Sequence, residues 1–338
     1  ASTFARAGCE VMLVTFRPGG PLDGGMTSAV RRVSLQKRDW NLDWFAPRLV
    51  ETLSEFGPGA VQLMGRMANA HGGRIIRALP DASVVATFRT GRDIPWLYAR
   101  TLRRARAVVA NSDHAARAVI SRHGAGPARV HVIRNGVAGP PRITDPDTRR
   151  SVRARIGTPA QAVVLLCCAM MRPGKGHRDL VEIASRLDPS LPWELWIAGE
   201  GVERAACEAL THAQGLSDRV RFLGARADTT QLYAAADIAV LSSHTESLPN
   251  FLVEAQWSGL PVVAWDVAGV RETFLPSESG LLVAEHDRGQ FAAAVHALAA
   301  DARARARMSE AAVAHARREF DPQRQNARYL ELYARVRA

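Results

Sequence analysis

The chain of 338 residues is 47% apolar and 23% charged, the composition of a folded globular protein rather than a disordered or fibrous one. Its 44 Lys+Arg against 33 Asp+Glu give a net charge of +11, and its length suggests two domains, since single cores stop growing near ~250–300 residues. The apolar run over residues 163–171 is far short of the ~20 residues a membrane span needs, and the first residues lack the make-up of a signal peptide. The charge is uneven. Residues 1–150 hold 23 basic and 11 acidic side chains (23 − 11 = +12), whereas residues 151–338 hold 21 and 22 (21 − 22 = −1). Cys9, Cys167, Cys168 and Cys207 have no C-x-x-C spacing and sit in apolar or helical surroundings. They read as buried thiols of a reducing cytoplasm, not as disulfides or metal ligands. The ten histidines form no H-x-x-x-H or similar spacing, so no metal site is expected.

Residues 1–8 look like the end of a helix. From there short β-branched or apolar runs alternate with longer periodic segments, the pattern of a parallel sheet with crossover helices. Strands are predicted over 10–15, 60–63, 83–87, 107–110 and 130–133, with helices over 45–56, 96–104 and 115–123. Residues 138–147 are rich in proline and polar side chains without periodicity and read as a linker. The second half restarts with strands over 163–168, 195–198, 220–222, 238–241, 262–264 and 280–283. Its helices are predicted over 177–186, 202–214, 232–236, 251–258 and 290–318. In open parallel sheets ligands bind beyond the carboxyl ends of the strands, so functional residues are expected just after strands, facing a cleft between two doubly wound domains. A doubly wound domain normally begins with a strand, and the start of this chain reads as lacking it.

The strongest constellation is Leu241-Ser-Ser-His-Thr-Glu246-Ser247-Leu248-Pro249-Asn250-Phe-Leu-Val-Glu254. A buried strand ends, a polar loop follows and a helix begins near Pro249, which suits a first helical turn. The amides of Ser247 and Leu248 would then offer a seat for phosphate at a helix N-terminus. Glu254, more than a turn into the helix, suits a vicinal diol such as a ribose, and Glu246 suits hydroxyls of whatever the phosphate carries. Two glutamates in isolation also fit a helix N-terminus and a solvated face. The second constellation, Met170-Met-Arg172-Pro-Gly174-Lys175-Gly-His177, brings two cations to the end of the strand over 163–168. It fails the P-loop pattern because Gly176 follows the lysine and Ala169 stands where glycine is required. Lys175 is the only lysine among twenty arginines in residues 151–338. A point-charge phosphate contact explains keeping it, and an exposed turn lysine is the plain alternative.

Weaker signals follow. Gly199-Glu-Gly201 lacks the third glycine of a dinucleotide fingerprint, so NAD is not expected. Asp266-Val-Ala-Gly269 reads as a cleft-facing glycine loop or an ordinary turn. Arg89 and Arg92 follow a first-domain strand and would hold an anionic acceptor or a diphosphate, or serve as surface charge. Asn135-Gly136 fits a hinge turn. No nucleophile elbow occurs, and the basic half lacks interleaved aromatic platforms, so nucleic acid is not an expected partner.

Taken together these motifs resemble the retaining glycosyltransferases of family 4, over nearly the whole chain. Glu246 and Glu254 match the family's E-x7-E motif, and Arg172-Pro-Gly-Lys-Gly-His matches its R-P-x-K-G-H turn. The segments WIAGEGVER, VRFLGARAD, LYAAADIAVLSS, VVANSDHAARAVI and VHVIRNGV match as well. The resemblance implies an α/β GT-B fold of two doubly wound Rossmann-like domains facing a central cleft, the first lacking its opening strand. Residues 1–140 would form the acceptor domain, 141–150 the linker, 151–318 the donor domain and 319–338 a helix crossing back to the first domain. Glu246, Lys175 and Arg172 would be the catalytic residues. Glu254, Ser247, Leu248, Pro249, Asn250, Gly174, Arg226 and Gly199 would bind the donor, and Arg89 and Arg92 the acceptor. Met170 stands where the family commonly has an arginine, and its frequent first-domain histidine is replaced around Phe88-Arg89.

The implied activity is retaining, metal-independent and cofactor-free transfer of a hexose-type sugar from a nucleoside diphosphate, UDP before GDP, to an acceptor hydroxyl. Lipopolysaccharide, capsule or exopolysaccharide synthesis is the implied setting. The expected partners are a nucleotide sugar, a glycan or lipid-linked acceptor and an anionic membrane met from the cytoplasm by the basic half. A UDP-sugar epimerase of the same fold and a non-catalytic nucleotide-sugar-binding protein are the alternatives.

Overall fold

A computed structural model of the chain describes residues 1–19, 27–90, 93–137, 139 and 142–337. The chain divides into two compact units, Ala1–Ile133 with Gln323–Ala338, and Arg134–Pro322.

The first unit begins with α1 (Ser2–Arg6), β1 (Val11–Thr15), β2 (Val30–Ser34), α2 (Leu49–Phe56) and β3 (Ala60–Gln62). It continues through α3 (Gly65–Ala78), β4 (Ser83–Phe88), α4 (Trp96–Arg104), β5 (Ala107–Ala110), α5 (Asp113–His123) and β6 (Val130–Val132). Strands β3 to β6 form a parallel sheet in chain order, and β1 pairs with β2 in a separate parallel ribbon. Strand β2 escapes a sequence reading because Arg31 and Arg32 interrupt its alternation; only Val30 of this strand is buried. The C-terminal helix, Pro322–Arg337, lays Tyr329, Leu332 and Val336 against Val85, Ala107, Val109 and Ile133. Ser83 Oγ donates to the Val336 carbonyl at 2.6 Å, and the Tyr333 hydroxyl donates to Gln62 Oε1 at 3.0 Å. The helix is thereby part of this unit's core although it comes last in the chain.

The second unit comprises α6 (Pro146–Ile156), β7 (Val163–Cys168), α7 (His177–Ala184), β8 (Trp193–Ala198), α8 (Arg204–Ala213), β9 (Val220–Gly224) and α9 (Thr229–Ala235). After these come β10 (Ile238–Leu241), α10 (Asn250–Trp257), β11 (Val262–Trp265), β12 (Gly280–Val283), α11 (Arg288–Ala300) and α12 (Ala302–Glu319). The strands pair in parallel in the order β12-β11-β10-β7-β8-β9. Strands β8, β10 and β11 are buried along their whole length, as expected of a sheet covered by helices on both faces. The first strand of the unit, β7, lies between β8 and β10, so the order reverses between β7 and β10. At such a reversal the loops leaving two adjacent strands diverge to opposite faces and open a crevice beyond the strand ends.

Three expectations are corrected. Residues 141–150, expected as linker, contain the start of α6. Asp145 accepts from the Asp147 and Thr148 amides and Pro146 opens the helix, so the Pro-Asp-rich run is a capped helix start. The helix expected over 290–318 is two helices, because Asp301 leaves helical geometry and caps α12 through the Ala304 amide. Cys9 is exposed rather than buried, whereas Cys167 and Cys207 are buried.

Helix α6 is anchored by charge. Arg149 and Arg153 each reach Asp237 at 2.6 Å, and Asp237 also accepts from the Val164 amide at 2.8 Å. Arg153 is buried and donates further to the Ala235, Ala160 and Ala162 carbonyls. Removing one partner of such a pair leaves the other charge desolvated. Asp237→Ala is expected to destabilise the protein by about 3 kcal/mol in urea unfolding, and a change below experimental error would contradict this role.

Candidate active site

The loops after β7 and β10 are joined at several points. Gly176, the left-handed N-cap of α7, approaches β10 so closely that a Cβ on it would lie 1.8 Å from the Ser242 carbonyl oxygen. Ser242 Oγ donates to the Gly176 carbonyl at 2.7 Å, and the His244 amide donates to the Gly174 carbonyl at 3.0 Å. Between these ties Lys175 Nζ donates to Glu246 Oε1 at 2.6 Å. The two side chains retain only 17% and 10% exposure, so the pair is largely removed from water. The structure thus brings together the lysine and the first glutamate of the two strongest motifs.

Ser247 and Leu248 are buried immediately before α10. A Cβ on Gly269, at φ +77°, would lie 2.0 Å from the Ser247 carbonyl oxygen, so the glycine loop after β11 lies flat against this segment. Pro249 is the N-cap of α10 rather than its first turn. Asn250 Oδ1 accepts from Asn135 Nδ2 at 2.7 Å. Glu254, within α10, accepts the Tyr233 hydroxyl on Oε2 at 2.7 Å, and Oε1 has no hydrogen-bond partner among the described residues. Burial raises the Glu254 carboxyl above its ordinary range, with the Tyr233 hydroxyl pulling the other way. Tyr233 itself is driven far upward, first by burial and then by the acidic groups beside it, so it stays a donor. Its part was not read from the sequence, because α9 and α10 meet only through the fold.

The remaining residues are more dispersed. Arg172 is half-buried and makes no side-chain hydrogen bond or ion pair among the described residues. Met170 is 67% exposed at the position of the family's arginine. Arg226 is held by Asp228 through two bonds, Nε to Oδ1 at 2.7 Å and Nη2 to Oδ2 at 2.6 Å, so its donor edge is occupied. Gly199 packs on the Ala169 carbonyl and donates its amide to Gly224 at 2.8 Å, which explains the glycine through close packing. Arg89 is an exposed residue of the first unit directly after β4, and Arg92 lies outside the described residues. Burial pushes the Cys167 thiol up to about 12 and that of Cys168 well above its ordinary value, so neither offers a thiolate near neutral pH.

The first unit matches the family model described as glycosyltransferase family 4, over residues 1–138. The second matches the model described as glycosyl transferases group 1, over residues 162–301. Among solved structures, HepE of Anabaena in complex with UDP and glucose superposes with a TM-score of 0.83 at 22% identity, covering 96% of this chain and 91% of that one. A glycosyltransferase of Rickettsia africae gives 0.85 at 18% identity over 99% and 92%. The architecture is therefore GT-B, with two Rossmann-like α/β units. The chain belongs to the family 4 glycosyltransferases. Its sequence is 36% identical over 224 residues to D-inositol 3-phosphate glycosyltransferase 2 of Catenulispora acidiphila, 62% of this chain and 52% of the relative. It is 37% identical over 158 residues to the lipopolysaccharide core biosynthesis glycosyltransferase LpsE of Rhizobium meliloti, 47% and 46% of the two chains. The match spans about half the length of these curated relatives.

His177, the last residue of the lysine motif, is fully buried at the start of α7, and neither ring nitrogen has a hydrogen-bond partner of good geometry. Burial, reinforced by the Lys175 ammonium, holds it down to about 4, with the Ala169 backbone working the other way. Unfolded, the ring titrates near ~6.5, so below that pH the unfolded chain binds a proton the native state refuses. Stability is expected to fall by roughly 3 kcal/mol as pH drops from about 6.5 to about 4. His177→Leu should flatten that slope in urea unfolding followed across the same window, and an unchanged slope would refute the assignment.

Proposed function

We propose that the protein is a retaining, metal-independent glycosyltransferase that moves a hexose-type sugar from a nucleoside diphosphate, UDP before GDP, to an acceptor hydroxyl. The observation that carries this reading is the largely buried Lys175–Glu246 pair, 2.6 Å apart where the strand order reverses. Glu246 would hold hydroxyls of the transferred sugar, and Lys175 would face the diphosphate, where negative charge develops as the anomeric bond breaks. The Ser247 and Leu248 amides, just ahead of the Pro249 N-cap of α10, would bind phosphate oxygens, and the unpartnered Oε1 of Glu254 would take a ribose hydroxyl. Gly174, Gly199, Pro249 and Asn250 would shape the donor's seat, Arg172 would supply further positive charge, and Arg226 would lie toward the base. Arg89 and Arg92 would hold the acceptor. With the Cys167 and Cys168 thiols held neutral by burial, the acceptor oxygen would attack the anomeric carbon from the face the diphosphate leaves, and a diphosphate oxygen would take the hydroxyl proton.

The UDP found with HepE supports UDP as the nucleotide, and the name of LpsE supports surface-polysaccharide assembly. Thermal-shift screening against UDP-, GDP-, ADP- and CDP-sugars reads the nucleotide directly, because a ligand of the native state stabilises it by mass action. Lys175→Ala and Glu246→Ala should each lower kcat by ~10²–10³ in protein whose circular dichroism stays that of the folded chain, with some loss of melting temperature because the remaining charge is left without its partner, and wild-type rates in both would end the proposal. The product's anomeric configuration by NMR tests retention, and a rate indifferent to added Mg²⁺ or Mn²⁺ tests metal independence. Isomerised nucleotide sugar formed without acceptor would instead identify an epimerase.

We also propose that the first unit meets an anionic membrane on its cytoplasmic side. Residues 1–150 carry the +12 excess, and Trp40 and Trp44 are 50% and 61% exposed in the same stretch of chain as the exposed Arg31, Arg32, Lys37 and Arg38. Interfacial tryptophans with basic neighbours suit the headgroup layer. Among the described residues no helix is long and apolar enough to cross a membrane. Binding to vesicles containing phosphatidylglycerol should weaken with salt and in a Trp40→Ala, Trp44→Ala double variant, and indifference to both changes would contradict the contact.

A further inference from the structure

In the second unit, β10, β11 and β12 are consecutive neighbours in the sheet, and their carboxyl ends carry three rings in a row. His244 follows β10, Trp265 ends β11 and His286 follows β12. The two imidazole centroids are 5.0 Å apart, and each lies about equally far from the buried indole, at 5.4 and 5.5 Å. Glu285 completes the group. Its Oε1 lies 3.8 Å from His244 Nδ1 and 3.5 Å from His286 Nε2, and one ligand atom from each residue falls within 4.8 Å of the others.

These separations are long for hydrogen bonds. They lie a few tenths of an ångström above the edge of a tetrahedron whose bonds are ~2.0–2.1 Å long, in which ligand atoms stand about 3.3 Å apart, so small side-chain rotations would close the group around an ion. The surroundings fit the same geometry. His244 Nε2 donates to Asp179 Oδ2 at 2.8 Å, which places the proton on Nε2 and leaves the Nδ1 lone pair toward Glu285. Asp179 is fixed in turn by Arg288, whose Nε reaches Oδ1 at 3.0 Å. A histidine oriented by a carboxylate on its far nitrogen is the usual support of a metal ligand. His286 also holds the left-handed conformation, at φ +66°. That is uncommon for a non-glycine residue, and such backbone strain concentrates where a side chain must be aimed.

We propose that His244 Nδ1, Glu285 Oε1 and His286 Nε2 form a binding site for a first-row divalent transition-metal ion of the zinc class, with three protein ligands and an open fourth position. Two imidazoles and one carboxylate favour such an ion over magnesium or calcium, which prefer all-oxygen shells. An ion there would tether the loop carrying Glu246 to the end of β12, because His244 lies two residues before Glu246 and its amide is bonded to the Gly174 carbonyl. None of its three ligands is among the residues assigned to sugar transfer, and its occupancy is read without turnover.

The test is titration of the full chain with Zn²⁺ in competition with a chromophoric chelator. One ion per chain is expected to bind saturably, with no displacement by millimolar Mg²⁺. His286→Ala and Glu285→Gln alter exposed side chains; each should keep the wild-type melting temperature and weaken Zn²⁺ binding at least tenfold. His212→Ala, at an exposed histidine on α8, should bind as the wild type does. Absence of saturable binding, equal affinity in all three variants, or loss of the ion in His212→Ala alone would overturn the proposal.

Discussion

The pairing of β7 with β10 is the contact on which the candidate site depends. Two residues on each strand, Leu165 opposite Ile238 and Leu166 opposite Ala239, join the first and fourth strands of the second unit and create the reversal of strand order. A loop leaves each strand at the same end of the sheet. Lys175 and Glu246 are therefore brought within hydrogen-bond distance although 71 residues separate them along the chain. Gly176 makes the approach tight, since any side chain there would collide with the Ser242 backbone. The site is built on strand ends rather than on a free loop, so its geometry is set by the sheet.

The charges at this site are few and well defined. The neighbouring ionisable groups Cys167, Cys168, Tyr233 and His177 are all driven toward their neutral forms, with burial as the leading cause. The Lys175–Glu246 ion pair stands among them, each partner offsetting the other's loss of water. In a poorly hydrated setting such a pair interacts strongly with any charged group brought beside it. Tyr233 adds a fixed donor that orients Glu254 and leaves its second oxygen for another partner.

Much of the second unit was legible in the sequence because its strands are short apolar runs that tolerate only one reading. Residues 163–168, 238–241 and 280–283 form strands at the predicted bounds. The first unit was harder to read. Adjacent arginines mask β2, and α3 carries glycines and a weakly apolar face that hide its period. The start of α6 reads as linker in the sequence because a proline beside two aspartates serves equally in a loop and in a capped helix. The docking of Arg149 and Arg153 on Asp237 decides between them.

The sequence by itself determined the fold class and the two motifs, since burial patterns and the residues around Lys175, Glu246 and Glu254 are local properties of the chain. Only the tertiary structure decided which of those residues meet. Arg226 illustrates the difference, since its binding edge is turned to Asp228 while its position in the motif is unchanged. The His244–Glu285–His286 group illustrates it in the other direction. No spacing rule links these histidines, and they meet because β10, β11 and β12 are neighbours whose ends lie side by side. Periodicity reports what each element buries, whereas distances between side chains follow from strand order, which hydrogen bonding between distant segments sets.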